Sequence, residues 1–115
     1  MEAKVEEKIK AITSEVSEEI IKLFGEKINR IILYGSYARG DFGEESDIDF
    51  MILLNCNQNE ISKNRKAISR IASRIGLRND IMVSLLARNY NEYETNIKYQ
   101  PFYQNIEKEG MNIYG

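Results

Sequence analysis

Apolar side chains recur every three or four positions at the start of the chain: Val5, Ile9, Ile12, Val16, Ile20 and Leu23. This spacing predicts a helix over 3–24 with one buried stripe, and Gly25 stands where such a helix stops. The rhythm then changes. "INRIILYGS" is a short, mostly apolar run ending in Gly-Ser, which predicts a buried strand over 28–34. Ser36 to Gly40 is expected to open a short helix, and 41–46 to form a polar loop. "SDIDFMILLN" predicts a second strand, Asp47 to Leu54. It is apolar on both faces after its aspartates, so it belongs inside its sheet.

A polar loop around Asn55 to Asn59 leads into a second helical pattern over 60–75, with Ile61, Ile68, Ile71, Ala72 and Ile75 on one face and Gly76 as its stop. "NDIMVSLLA" predicts a third strand, Asp80 to Leu86. From Arg88 onward the chain is rich in Tyr, Asn and Gln; Pro101 is expected to open a last helix over 101–109, closed by Gly110. The order α-β-(short α)-β-α-β-α predicts one α/β or α+β domain over 1–115, a short mixed sheet flanked by helices.

Composition narrows the chemistry. The 115 residues are 43% hydrophobic and 30% charged, a globular balance. No apolar run reaches membrane-spanning length, and "MEAKVEEKIK" lacks the apolar core of a secretory signal. With one cysteine, Cys56, no internal disulfide can form, so a cytoplasmic protein is expected. Cys56 reads as a small packing residue rather than a nucleophile. The chain has no histidine. That excludes a Ser-His-Asp triad, a Cys-His pair and a His-based zinc site. A bound metal would be held by oxygen, which favours magnesium or manganese.

Net charge is −2, so nothing drives the whole chain toward nucleic acid, and direct binding to it is not expected. Six basic residues nevertheless lie between Glu60 and Asp80 with no acid among them: Lys63, Arg65, Lys66, Arg70, Arg74 and Arg78. Lys63, Lys66, Arg70 and Arg74 fall opposite the isoleucines. A solvated face is the default reading, and a patch for an acidic partner or RNA is the alternative. Tyr90, Tyr93, Tyr99, Phe102, Tyr103 and Tyr114 crowd the tail, where packing of the last helix accounts for most of them. Tyrosines are also common at interfaces, and an oligomer is expected.

The chemistry concentrates between Tyr34 and Phe50. Asp47 and Asp49 are two apart in a strand, so both point to one face. Two close carboxylates repel unless a cation or proton lies between them. Asp80 opens the expected third strand as the pair opens the second. If those strand ends are adjacent, three carboxylates converge and can hold two divalent ions for in-line phosphoryl transfer. Gly35 lets the backbone approach a ligand closely, and amides at the following helix start attract an anion. Ser36 adds a hydroxyl. Arg39, one turn on, is either a phosphate contact or a surface partner of Asp41 or Glu44. Asp41 itself reads as a turn residue.

Gly35-Ser36, ten further residues, then Asp47-x-Asp49 resembles the signature of the DNA polymerase beta nucleotidyltransferase superfamily. The fuller string from Gly35-Ser36-Tyr37-Ala38-Arg39-Gly40-Asp41 to Ser46-Asp47-Ile48-Asp49 is similar to its minimal nucleotidyltransferase (MNT) branch, and "PFYQNIEKEGMNIYG" resembles the usual ending of those short proteins. The resemblance implies a nucleotidyltransferase fold, with Gly35 and Ser36 on nucleotide phosphates and Asp47 and Asp49 on two magnesium ions. Asp80 would be the third carboxylate and would help deprotonate the attacking hydroxyl. It further implies an antitoxin that transfers AMP from ATP to a tyrosine of a HEPN-family ribonuclease toxin and so silences it. Larger members carry a second domain for the acceptor, for which this chain has no room. Two alternatives stand beside this: a subunit of an aminoglycoside-type, small-molecule nucleotidyltransferase, which shares every motif, and a non-catalytic antitoxin acting by contact alone, against which the presence of all three candidate carboxylates argues.

Overall fold

The computed structural model describes residues 3–115. Its first helix, α1 (Ala3–Phe24), has the predicted bounds. Ile12, Val16, Ile20 and Phe24 form its buried stripe. Gly25 takes a positive φ of 55° and turns the chain through one 3-10 turn. Strand β1 (Ile28–Tyr34) follows, then the one-turn helix α2 (Ser36–Arg39), then β2 (Ile48–Leu54).

With two later strands, β3 (Val83–Asn89) and β4 (Met111–Tyr114), β1 and β2 form a mixed sheet in the order β3-β2-β1-β4. β1 pairs antiparallel with β2, whereas β2 pairs parallel with β3. β2 is therefore interior, as its two-faced apolar run requires. Ile48, Phe50, Ile52 and Leu54 face the larger core with α1 and a later helix, α4 (Arg65–Asn79). Met51 and Leu53 face a smaller core with Tyr93, Tyr103 and Ile106. By strand alternation Asp49 shares this second face, at the end of β2 that the smaller core leaves uncovered.

Several elements differ from expectation. The pattern over 60–75 is two helices, α3 (Gln58–Lys63) and α4 (Arg65–Asn79), broken at Asn64, whose ψ of 4° is not helical. Asn57 caps α3, its side chain accepting the Glu60 amide at 2.9 Å. Gly76 does not stop α4. It is buried inside the helix, and a Cβ there would lie 2.6 Å from the Ile81 carbonyl. The residue is small because the returning chain crosses it, not because the helix ends. Gly76→Ala should cost about 1–3 kcal/mol through overpacking, and a circular-dichroism melt should show a midpoint at least ~4 °C lower.

Two tail elements were unassigned from sequence. Helix α5 (Tyr90–Asn96) follows β3 without a loop, capped by Asn89, which accepts the Glu92 amide at 2.8 Å. After α6 (Pro101–Glu109), strand β4 (Met111–Tyr114) pairs antiparallel with β1. Tyr93 and Tyr103 fill the second core as expected, whereas Tyr99 is exposed. The basic face of α4 is partly neutralised: Arg74 bonds Glu19 at 2.9 Å and Arg78 bonds Glu15 at 2.5 Å, both on α1. No described helix is long and apolar enough to cross a membrane.

Candidate active site

The turn after β1 is held in a conformation reserved for glycine. Gly35 has φ 78° and ψ −157°. Its carbonyl accepts the amides of Ala38 and Arg39, both at 3.1 Å, which closes α2. Tyr37 then stacks on Phe42 with ring centroids 4.3 Å apart and planes 6° from parallel. This folds the 41–46 loop back over α2. A tight turn closes the loop, with the Gly43 amide donating to Ser46 Oγ at 2.8 Å. Asp47 follows immediately and is exposed.

Register places the acids against that turn. Tyr34 is the cross-strand partner of Asp49, so Gly35 sits beside the carboxylate. A Cβ on Gly35 would lie 2.6 Å from Asp49 Oδ2. The missing side chain is thus the space the carboxylate uses. Asp49 is half-buried, and its pKa is raised by burial first and by Asp47 second, with Arg39 opposing. A half-buried carboxylate whose charge its neighbouring acid disfavours, with oxygen as the only donor type, suits a hard divalent cation such as magnesium or manganese.

Asp80 is not brought to this pair. The third strand begins at Val83 rather than at Asp80, and Asp80 is the left-handed cap of α4, with φ 51° and ψ 49°. It lines a shallow groove of about 470 Å³ with Gly76, Leu77 and Met82. Among the described residues no three His, Cys, Asp or Glu side chains are grouped to hold a metal. The structure thus sets Asp80 at the end of α4, ahead of the strand it was expected to open. Aspartate is among the few residues that visit the left-handed conformation, and here the Asp80 backbone amide donates to the Gly76 carbonyl.

Arg39 stands exposed at the rim. Its Nε donates to Asp41 Oδ2 at 3.2 Å and its Nη1 to Glu109 Oε2 at 3.3 Å. The surface pairing with Asp41 raised by the sequence is present, and Glu109 of α6 joins it. An incoming phosphate would have to take the guanidinium from both acids.

A sequence model described as "Nucleotidyltransferase domain" matches residues 13–111. The chain belongs to this nucleotidyltransferase family. A candidate protein adenylyltransferase of Methanocaldococcus jannaschii, MJ0141, is 36% identical over 102 residues, covering 89% of this chain and 95% of the relative. A second from the same organism, MJ0604, is 28% identical and covers 76% of this chain and 80% of the relative. Among solved structures, a chain of a toxin-antitoxin crystallised with AMP-PNP superposes with a TM-score of 0.59 at 19% identity, covering 90% of this chain and 73% of that one. A chain of a tyrosine-to-alanine variant of the toxin-antitoxin MntA-HpeT gives 0.56 at 19% identity, covering 89% and 71%. These two likenesses are likenesses of fold.

Within this nucleotidyltransferase, several residues beside the acids gave no motif signal. Tyr34 forms an edge-to-face pair with Phe102 of α6, centroids 5.6 Å apart. Its phenol is pushed up to about 12 by burial first and by Asp49 second. Tyr34, Gly35, Arg39, Phe102, Asn105 and Glu109 line a groove of about 230 Å³ next to the turn. Tyr34 lies inside an apolar strand run and Phe102 inside an ordinary helix pattern. Only the antiparallel pairing and the return of α6 across β1 bring them to the acids.

Proposed function

We propose that this chain is a magnesium-dependent protein adenylyltransferase that moves AMP from ATP onto a tyrosine hydroxyl of a partner protein, a HEPN-family ribonuclease toxin that it thereby neutralises. The observation that carries the reading is the seating of Asp49 against the side-chain-free face of Gly35, with Asp47 beside it. The relative MJ0141 supports the adenylyl group and a protein acceptor, because its 36% identity extends over 89% of this chain.

Asp47 and Asp49 would hold the magnesium ions. When bound, such ions neutralise the leaving pyrophosphate and acidify the attacking hydroxyl. Gly35 leaves room for a phosphate against the backbone, the Ser36 hydroxyl donates to a phosphate oxygen, and Arg39 reaches another once Glu109 and Asp41 release it. The acceptor oxygen bonds to the alpha phosphorus as the bond to the pyrophosphate oxygen breaks. The hydroxyl proton leaves to solvent.

The groove beside Gly35 accommodates the nucleoside, with the exposed Phe102 as a stacking surface. An aromatic stack of this kind is worth about 1 kcal/mol. Phe102→Ala should therefore weaken ATP binding roughly fivefold to tenfold, seen as a raised KM for ATP with kcat nearly unchanged. An unaltered KM would move the nucleoside elsewhere. The reaction itself is tested by incubating alpha-labelled ATP with this protein and the product of a neighbouring HEPN gene, then assaying the toxin's ribonuclease activity. Label on a tyrosine with loss of ribonuclease activity is expected. Label on an aminoglycoside alone would establish the small-molecule alternative. Full neutralisation by a variant lacking both aspartates would establish contact alone.

A further inference from the structure

β2 carries the acids between two neighbours that differ. On one side is β1, ending in the Gly35–Ser36 turn. On the other is β3, in parallel register, with Asp49 opposite Ser84 and Phe50 opposite Leu85. Residues opposite one another in a parallel pair point to the same face, about 4.8 Å apart. Ser84 is thus the side chain beside Asp49 on the acidic face, and it is half-buried. Its neighbours in β3, Val83 and Leu85, point to the opposite face, where they join the larger core.

We propose that Ser84 is the third metal-binding side chain of this centre, a neutral hydroxyl where a third carboxylate was expected, and that it serves the side from which the acceptor attacks. The inference rests on the nucleotidyltransferase reading. In-line transfer puts the attacking oxygen and the leaving group on opposite sides of the alpha phosphorus. The Gly35–Ser36 turn takes the phosphates on the β1 side of Asp49, which leaves the β3 side to the attacking hydroxyl. A serine hydroxyl is an established magnesium ligand in nucleotide enzymes of another fold. With two acids rather than three, the free protein holds the acceptor-side ion loosely, since affinity follows the charge of the ligand set. That ion is then retained mainly when nucleotide and acceptor add their own oxygens.

Manganese titrated into the purified protein, followed by electron paramagnetic resonance and calorimetry without nucleotide, tests this. Ser84→Asp should tighten binding on the order of tenfold or more, and Ser84→Ala should weaken it a few-fold, whereas Ser84→Thr keeps wild-type affinity. Ser84→Asp should also lower the melting point of the metal-free protein by setting a like charge beside Asp49, and manganese should restore it. Wild-type affinity in both Ser84→Ala and Ser84→Asp, with binding still lost in Asp47→Asn, overturns the role of Ser84 alone. Binding that survives Asp47→Asn overturns the metal centre itself.

Discussion

Asp49→Asn should abolish AMP transfer and, at the same time, raise the melting temperature of the metal-free protein at neutral pH. The two effects have one origin. Burial and the neighbouring Asp47 lift the Asp49 pKa above its ordinary value of 3.8. An acid whose pKa is higher in the folded state binds protons more readily there than when unfolded. Stability is then greatest at low pH and falls as pH rises from the unfolded pKa through the folded one. At neutral pH the charged Asp49 is a standing cost that the amide removes. Thermal melts should show the variant more stable at pH 7 and level with wild type below about pH 3.8. Magnesium with a non-hydrolysable ATP analogue should stabilise the wild type by mass action and leave the variant unchanged. Loss of a metal-holding carboxylate removes several kcal/mol of charge stabilisation, so transfer should fall on the order of 10³-fold or more. A variant that is inactive but less stable than wild type at neutral pH would show that Asp49 belongs to the packing rather than to the site.

Gly35→Ala should damage fold and activity together. The backbone there, with φ 78° and ψ −157°, costs a residue bearing a Cβ about 1–3 kcal/mol. The added methyl carbon would also meet Asp49 Oδ2 at 2.6 Å and push the carboxylate off its seat. Thermal melts should show a midpoint lower by at least ~4 °C, and transfer should be lost even at temperatures where the variant stays folded. The contrast with Gly76→Ala is informative. That glycine is just as tightly crossed, by the Ile81 carbonyl, but it sits in α4 away from the acids. Its variant should lose stability and keep its turnover when assayed well below its melting point.

Much of this architecture can be read from residue order because local pattern and long-range packing agree. The stripe Ile12, Val16, Ile20 has the helical period and is buried as a unit. β1 is an apolar run closed by a glycine that the turn requires. β2 is interior because no polar residue interrupts it after Asp49. The acidic pair was legible for the same reason: two aspartates at the mouth of a buried strand violate the pattern, and such violations mark function.

What was not legible depends on pairing. β4 is four residues long and mostly exposed, and it is a strand only because β1 offers an edge. α5 is polar on most of its surface, with Asn89 and Glu92 as its one local signal. Asp80 lies ahead of β3 rather than at its start, because the α4 cap falls there. The strand starts three residues later, and the intervening Ile81 and Met82 carry the chain from the α4 cap to the sheet. That shift decides which side chain stands beside Asp49. It makes Ser84 the neighbour, a residue with no motif to announce it.

The central claim is that this chain transfers AMP to a protein hydroxyl at Asp47 and Asp49. The most direct measurement is label transfer from ATP carrying the label on either the alpha or the gamma phosphate, with the HEPN-family partner as acceptor and magnesium present. The alpha label should appear on a tyrosine of the partner, the gamma label should appear in released pyrophosphate, and Asp47→Asn should abolish both. Gamma label on the partner, or undiminished alpha label with Asp47→Asn, would contradict it.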